Sequence, residues 1–235
     1  VVLAHWGIAA VFGISVVLYG MVLFAAVGVR WKSQPVTRQT AILSRVTEGL
    51  KFVRGDRRLL AILWVTVIFN VFFWSFTSMI PVVGRDRLGL GPEGVGVLTS
   101  LDGIGALIGA ILLMLLVRPA WYARIYLGGV ILYGFMLIAF ALLPHAIPAG
   151  AALLFTGLGQ AGFAAMQSTL VYLAAPADMR PRIMGVLSVA IGTGPIGFVG
   201  LGLLADLIGA HWATAAFGAI GLAAMFFTRR LWLTI

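Results

Sequence analysis

The feature that most constrains this chain is a series of apolar stretches, each near the length of a membrane-spanning helix. About 20 apolar residues are needed to cross the hydrocarbon core as a helix. Backbone groups in lipid must bond within the segment, so runs this long are expected to be helical. Seven such stretches are delimited by polar, proline or glycine residues: 6–28, 59–82, 95–117, 125–143, 149–175, 183–208 and 212–228. The sequence therefore predicts an all-α membrane protein with seven transmembrane helices.

Composition excludes several other classes of protein. Hydrophobic residues make up 62% of the chain and charged residues only 10%, whereas a soluble domain is about half apolar and a quarter charged. Since the chain contains no cysteine and only 3 histidines, disulfides and thiolate metal sites are excluded, and we expect no metal centre. We also expect no cofactor and no enzymatic activity.

The net charge of +9 has an informative distribution. If the first span runs from outside to inside, only Arg85 and Arg87 among the 16 Lys and Arg residues fall outside. This asymmetry is the positive-inside pattern, which sets orientation. It predicts an outer N-terminus and a cytoplasmic C-terminus, and it argues against a nucleic-acid partner, because no solvent-exposed domain is available to carry one.

The longest polar stretch divides the chain into one span followed by six. We predict a first helix at 1–29, a cytoplasmic linker at 30–58 and a six-helix bundle at 59–235. Apolar residues near helical spacing within the linker predict an amphipathic helix on the inner membrane surface, although a solvated linker with a short helix fits equally well. Because no charged region precedes the apolar start, we expect the chain to begin partway through a longer protein.

Nucleotide-binding motifs are rejected on context. The sequences GLGQAG at 157–162 and GTGPIG at 192–197 both match the dinucleotide fingerprint. That fingerprint requires a strand before it and a helix after it, but both matches lie inside long apolar spans. No phosphate-binding loop ending in Gly-Lys-Ser/Thr is present.

Three segments resemble a known family. ILSRVTEGLKFVR at 42–54 resembles the helix before the seventh span of bacterial exporters, and GVGVLTSLDGIGALIG at 94–109 resembles their eighth span. PADMRPRIMG at 176–185 resembles the D-x-R-x-R-x-x-G loop before their eleventh span. The chain thus resembles the C-terminal half of a major facilitator superfamily transporter, especially the drug and siderophore exporters of the enterobactin-exporter type.

This resemblance implies a function and a missing partner. It implies alternating-access export of a small amphipathic molecule, such as a drug or siderophore, across a bacterial inner membrane in exchange for protons. The span at 6–28 would be the sixth, and the last six would form two groups of three, as in transporters built from repeats. The N-terminal half of the same transporter would then be the partner. Two departures are a reduced loop at 117–124 and a Gly194-Pro195 stretch whose counterpart belongs to the fifth span.

Asp102 is the sharpest candidate for a functional residue. It lies within an apolar span, where a charge costs about 2.5–3.5 kcal/mol on insertion scales and usually faces a cavity or a partner. One hypothesis is that Asp102 couples proton movement to export. The alternative is a structural hydrogen bond to Thr99, Ser100 or a neighbouring helix.

Five further residues are candidates for lining a substrate cavity. Helical spacing would place three of them on one face and the other two on one face of another span: Asn70, Trp74, Thr77, Gln160 and Gln167. The resemblance implies that these two spans line the cavity, and amide and aromatic groups suit a bulky, partly apolar ligand. The alternative is hydrogen bonding between helices.

Four residues are candidates for gating. Asp178, Arg180 and Arg182 could form a charge network at the inner mouth, or could simply set topology. Pro195 should bend its helix, because proline removes a backbone donor. The glycines around it favour either ordinary close packing or a sliding interface.

Functions other than transport are also open to a chain with these spans. A seven-helix receptor or a non-transporting scaffold fits the number of spans. Retinal chemistry is excluded, since Lys32 and Lys51 are the only lysines and both lie in the linker. An intramembrane enzyme is disfavoured, because no catalytic pair at credible spacing lies at membrane depth. Asp206, at the end of a span, is interpreted as a solvated charge.

Overall fold

A computed structural model describes residues 2–27, 42–232 and 235. It comprises two units, divided after residue 41. The first contains helix α1 (Val2–Val27), whose 26 residues include an apolar stretch at Ser15–Val27. The part of the predicted linker before residue 42, including Arg30, lies outside the described residues.

The second unit is helical, with no strand among its described residues. Its helices are α2 (Ile42–Gly55), α3 (Arg57–Ile68), α4 (Ile80–Asp86), α5 (Pro92–Leu116), α6 (Tyr122–Leu142), α7 (Ala146–Ala174), α8 (Arg180–Ile191), α9 (Gly194–Ile208), α10 (Ala210–Phe227) and α11 (Arg229–Trp232).

Six segments of this unit are long and apolar enough to cross a membrane. They are Arg57–Asp86, Pro92–Leu116, Pro119–Leu142, Ala146–Ala174, Arg180–Ile208 and Ala210–Phe227. Each covers most of one predicted span, so the prediction of six consecutive spanning helices is confirmed for this part of the chain. The all-α fold class is confirmed as well.

Local sequence explains where several of these helices begin and end. The Asp56 carboxylate accepts hydrogen bonds from the backbone N–H groups of Arg58 and Leu59, at 2.9 and 3.0 Å, and so caps α3. Pro92 opens α5, at a position where a missing N–H costs nothing. Gly209 ends α9 with a φ of +86°, a conformation that other residues rarely adopt.

Helix α7 is the central element of the bundle, with α5 and α6 packed on it. Gly105 lies against the Leu154 backbone, and Gly157 lies against the backbone of Asp102. A Cβ atom at either glycine would collide with a carbonyl oxygen of the opposite helix. Small residues therefore allow the backbones to approach closely, as is usual in membranes.

An aromatic cluster fills the core between α6, α7 and the segment at 69–79 that follows α3. Phe163 stacks on Phe69, with ring centroids 3.7 Å apart, and on Tyr126 at 5.5 Å. Tyr133 packs against Phe69 and Phe76 at 4.8 and 5.5 Å. These contacts fix the Arg57–Asp86 span against the centre of the bundle.

Alternation of the spans places most of the described cationic residues at one end of the unit. We call this the basic end, and its members are Lys51, Arg54, Arg57, Arg58, Arg118, Arg124, Arg180, Arg182, Arg229 and Arg230. Arg85 and Arg87 lie at the opposite end, where the Arg87 guanidinium donates to the Leu142 carbonyl at 2.7 Å. The segregation of charge inferred from the sequence is therefore present in this unit.

Two of the six spans have broken helices. Between α3 and α4 the chain makes a π-helical turn at Phe69–Phe73 and a 3₁₀ turn at Trp74–Met79. Between α8 and α9 it makes a turn at Gly192 and Thr193, followed by Pro195 in the first turn of α9. The break near Pro195 was expected from the sequence, whereas the one at 69–79 was not.

Helix α2 docks on the bundle. Gly49 lies against the backbone of Arg182 and the side chain of Val186, both 2.9 Å from the position of a Cβ atom. Val53 is fully buried. The structure shows this helix packed on α8. Its place on the membrane surface or in a solvated linker stays a prediction from the sequence.

Candidate functional site

Asp102 forms a hydrogen bond between helices. The Thr156 hydroxyl, on α7, donates to Asp102 Oδ1 at 2.7 Å and also lies 2.6 Å from the Leu153 carbonyl oxygen. The side chains of Thr99 and Ser100 instead donate to backbone carbonyls of their own helix. Of the structural partners considered for Asp102, the neighbouring helix is the one observed.

A second buried hydroxyl lies on a helix that also packs on α7. Tyr133, on α6, is fully buried, and its hydroxyl has no hydrogen-bond partner among the residues the structure describes. Three helices thus contribute a carboxylate, a hydroxyl bonded to it and a buried hydroxyl without a described partner.

A separate buried polar network links α3, α6 and α7. Thr66 is its centre: the Gln167 amide donates to the Thr66 hydroxyl at 3.0 Å, and the Tyr126 hydroxyl lies 3.2 Å from it. Tyr126 also donates to the Ile62 carbonyl at 2.9 Å. The Asn70 amide, within the π-helical turn, donates to the Thr66 carbonyl at 2.9 Å.

The three cavity candidates on the Arg57–Asp86 span lie in different environments. Asn70 is buried, whereas the Trp74 ring is 36% exposed and packs edge-on against Phe198 of α9. Thr77 donates to the Trp74 carbonyl at 3.0 Å. The spacing argument assumed a regular α-helix, but the π and 3₁₀ turns at 69–79 change the register through this segment.

The two glutamines on α7 also separate. Gln167 is 5% exposed and belongs to the Thr66 network. Gln160 is half-buried and lines a recess of about 510 Å³ between α5 and α7, together with Ala106 and Ala110. Of the two, Gln160 is the one with room beside it for a ligand.

Among the described residues, Asp178 forms no ion pair with Arg180 or Arg182, so the predicted charge network at 178–182 is not observed as such. Arg180 donates to the Tyr172 and Ala175 carbonyls, both at 3.2 Å, and its guanidinium carbon lies 4.2 Å from the Tyr172 ring centroid. Asp178 is exposed and forms no ion pair in the described part of the chain. Arg180 is therefore engaged with the end of α7.

Arg182 pairs with a residue outside that loop. Its Nε lies 3.0 Å from Glu48 Oε2 on α2, and its Nη1 lies 3.1 Å from Met179 Sδ. This ion pair joins α2 to the first turn of α8 at the basic end.

The break that precedes Pro195 faces the irregular segment at 69–79 of the Arg57–Asp86 span. A Cβ atom on Gly197 would collide with the Val71 carbonyl, and one on Gly194 would lie 2.9 Å from the Trp74 ring. We call these two spans, Arg57–Asp86 and Arg180–Ile208, the broken pair. Their contact places the cavity candidate Trp74 against Gly194, the residue next to the gating candidate Pro195.

Sequence reasoning missed several residues that the structure places at these sites. Thr156 is the partner of Asp102, Thr66 is the partner of Gln167, and Glu48 is the partner of Arg182; Tyr126 bonds Thr66 in turn. A polar residue inside an apolar span was the available signal for the hydroxyls. Nothing in the sequence pairs any of them with a particular helix.

Comparison with known proteins identifies the family. The sequence matches the profile of the transmembrane secretion effectors, of major facilitator type, over residues 1–234. A search of the curated proteins found no match. The matched region includes the six apolar spans, the Asp102–Thr156 contact and the broken pair. The chain is therefore a multi-pass membrane protein that belongs to the transmembrane secretion effector family of major facilitator transporters.

Proposed function

We propose that this chain is part of a proton-coupled exporter of small amphipathic molecules, such as drugs or siderophores, working by alternating access in a bacterial inner membrane. The transporter would be completed by an N-terminal half, with the basic end on the cytoplasmic side. Membership of the family supports transport. Proton coupling, export and orientation are proposed from the residues that follow.

Asp102 is the observation on which the coupling proposal depends. Among the described residues it is the acid that lies deepest within a span, and it is partly buried against α7. A carboxylate in an apolar span usually faces a cavity or a partner and marks an ion pathway.

The Thr156 hydroxyl suits both protonation states of this acid. When Asp102 is ionised, the hydroxyl donates to it at 2.7 Å. When Asp102 is protonated, it can donate to the hydroxyl oxygen, whose own proton then turns to the Leu153 carbonyl at 2.6 Å. The proton can therefore arrive and leave without stranding a buried polar group.

Substrate binding is proposed near Gln160 and Trp74, the two cavity candidates with accessible side chains. Asn70, Thr77 and Gln167 are assigned supporting roles, since each is held by a hydrogen bond within the bundle. An apolar recess with one amide suits a partly apolar ligand.

Gating is proposed at the broken pair and at the basic end. Pro195 and the turn before it interrupt a span where it contacts the irregular segment of another. Arg182 and Arg180 tie the start of α8 to α2 and α7, and exposed Asp178 lies between these elements. Alternating access requires such contacts to break and re-form.

The coupling is tested by transport in proteoliposomes that contain the full transporter. Ethidium serves as the probe, with an imposed proton gradient as the driving force. We expect Asp102→Asn to abolish gradient-driven ethidium accumulation while ethidium exchange at equal pH persists. Exchange requires a folded protein that still alternates, so it separates loss of coupling from loss of structure.

Asp206→Asn is the matched control, since Asp206 is exposed near the end of α9. It should leave both measurements unchanged. Asp102→Glu should restore part of the accumulation. Full gradient-driven accumulation in Asp102→Asn would refute the coupling role.

A further inference from the structure

A groove opens between α5 and α6. The two helices are joined by a short segment at 117–121, but each packs on α7, which forms the floor. The groove has a volume of about 290 Å³. Its walls are leucine, isoleucine and valine side chains with glycines from all three helices, so a long apolar group can lie between the helices.

One end of this groove lies at the basic end of the bundle. Trp121 lines it there and is 41% exposed. The Arg118 guanidinium carbon lies 5.5 Å from the Trp121 ring centroid, and Arg124 lines an adjoining depression of about 390 Å³ with Trp121 and Ile125. Both arginines are exposed, and no carboxylate pairs with either among the described residues.

This arrangement matches the chemistry of one kind of occupant. Trp121 is the only lining side chain of the groove that carries a polar atom. A small amphipathic substrate would therefore find no polar partner deep inside. A phospholipid requires none there, because its charge is confined to the head group. Basic pockets between helices bind anionic head groups, and tryptophan favours the membrane interface.

We propose that this groove is a binding site for an anionic phospholipid of the surrounding bilayer. One acyl chain lies between α5 and α6, and the phosphate lies between Arg118 and Arg124, beside Trp121. The site requires neither proton coupling nor export.

The site is tested by native mass spectrometry of the full chain from nanodiscs of defined composition. The probes are phosphatidylglycerol and phosphatidylcholine with identical acyl chains. We expect phosphatidylglycerol to be retained preferentially at one site. Each exposed arginine contributes about fivefold to anionic lipid binding, so Arg118→Gln with Arg124→Gln should weaken phosphatidylglycerol about 25-fold and leave phosphatidylcholine unchanged. Arg230→Gln, also at the basic end but outside the groove, is the charge control.

A second pair of variants tests the chain-binding part. Leu116 lines the groove and Leu115 does not, although both are exposed, at 62% and 67%. Leu116→Trp should fill the groove and reduce retention of both lipids at this site, and Leu115→Trp should not. Equal retention of the two lipids by the native chain would overturn the proposal. So would retention insensitive to both arginine substitutions, or displacement of the lipid by ethidium, which would assign the groove to a transported molecule.

Discussion

The α5–α7 crossing and the broken pair both depend on glycine, but they differ in the backbones that meet. At the crossing, Gly105 and Gly157 bring two uninterrupted helices together. At the broken pair, Gly197 of α9 meets the Val71 carbonyl within a π-helical turn. Small residues can thus fix two regular helices against one another, or seat a helix against a segment whose hydrogen bonding is already irregular. The first kind of contact is expected to resist movement, and the second to permit it.

The largest effect is expected at the crossing. A Cβ atom in Gly157→Ala collides with the Asp102 carbonyl, and backbone cannot yield as a flexible side chain does. We expect a loss of about 3 kcal/mol in the free energy of unfolding, measured by thermal denaturation in detergent. Gly103→Ala, on α5 with no atom within 4 Å of its added Cβ, is the control. Equal stability of the two variants would remove the basis for calling this crossing rigid.

A smaller loss is expected from the corresponding change at the broken pair. Gly197→Ala also collides with a carbonyl, but Val71 lies in a turn that can adjust its register. We expect a cost of about 1.5 kcal/mol, together with slower ethidium exchange in proteoliposomes. Gly202 lies on the same helix as Gly197, and a Cβ atom there would meet no atom within 4 Å. Gly202→Ala should therefore change neither the stability nor the rate of ethidium exchange. A cost matching that of Gly157→Ala would mean that the two contacts are equally stiff.

The polar network beside the irregular segment can be tested separately. Thr66→Val leaves the Gln167 amide and the Tyr126 hydroxyl without one partner each. Hydrogen bonds between membrane helices contribute on average about 0.6 kcal/mol, so a loss of about 1 kcal/mol is expected in the same denaturation measurement. Thr169→Val removes a bond to the Ala165 carbonyl of its own helix and should change little. If both variants behave alike, the network contributes nothing specific to the broken pair.

The smallest effect on stability is expected from the Glu48–Arg182 ion pair, at the basic end of the Arg180–Ile208 span. Glu48 and Arg182 are 3.0 Å apart but their side chains are 50% and 38% exposed. A double-mutant cycle with Glu48→Gln and Arg182→Gln should give a coupling of about 0.5 kcal/mol that weakens at high salt. Lys51→Gln on the same helix, cycled with Arg182→Gln, should give none. Coupling above about 2 kcal/mol would show that α8 is held far more firmly than an exposed ion pair allows.

The spans could be predicted because hydropathy acts along the chain. Each span carries enough apolar residues by itself, so no partner is needed to recognise it. The interruption near Pro195 was also predictable, since proline and glycine leave a local signal. Residues 69–79 contain neither. Their irregular turns arise where the segment packs on α9 and α10, and such packing is not written in local sequence.

The pairing of polar side chains could not be predicted for the same reason. The energetic cost of placing the Asp102 carboxylate in lipid could be recognised from the sequence. Its partner could not, because Thr156 is one of several hydroxyl residues that lie within spans. Gln160 and Gln167 share helical spacing, yet one lines a recess and the other bonds Thr66. Which neighbour each side chain meets depends on helix rotation, and rotation is set by glycine contacts spread over three helices.

The close approach at Gly157 has a mechanical consequence for the proposed proton site. The Asp102 backbone lies in contact with α7 at Gly157, so a tilt of α7 is expected to move the Asp102 backbone with it. Gln160 lies on α7 as well and would move in the same direction. If Asp102 carries the proton, as proposed, its protonation and a change in the recess beside Gln160 would accompany a single movement of the α5–α7 pair.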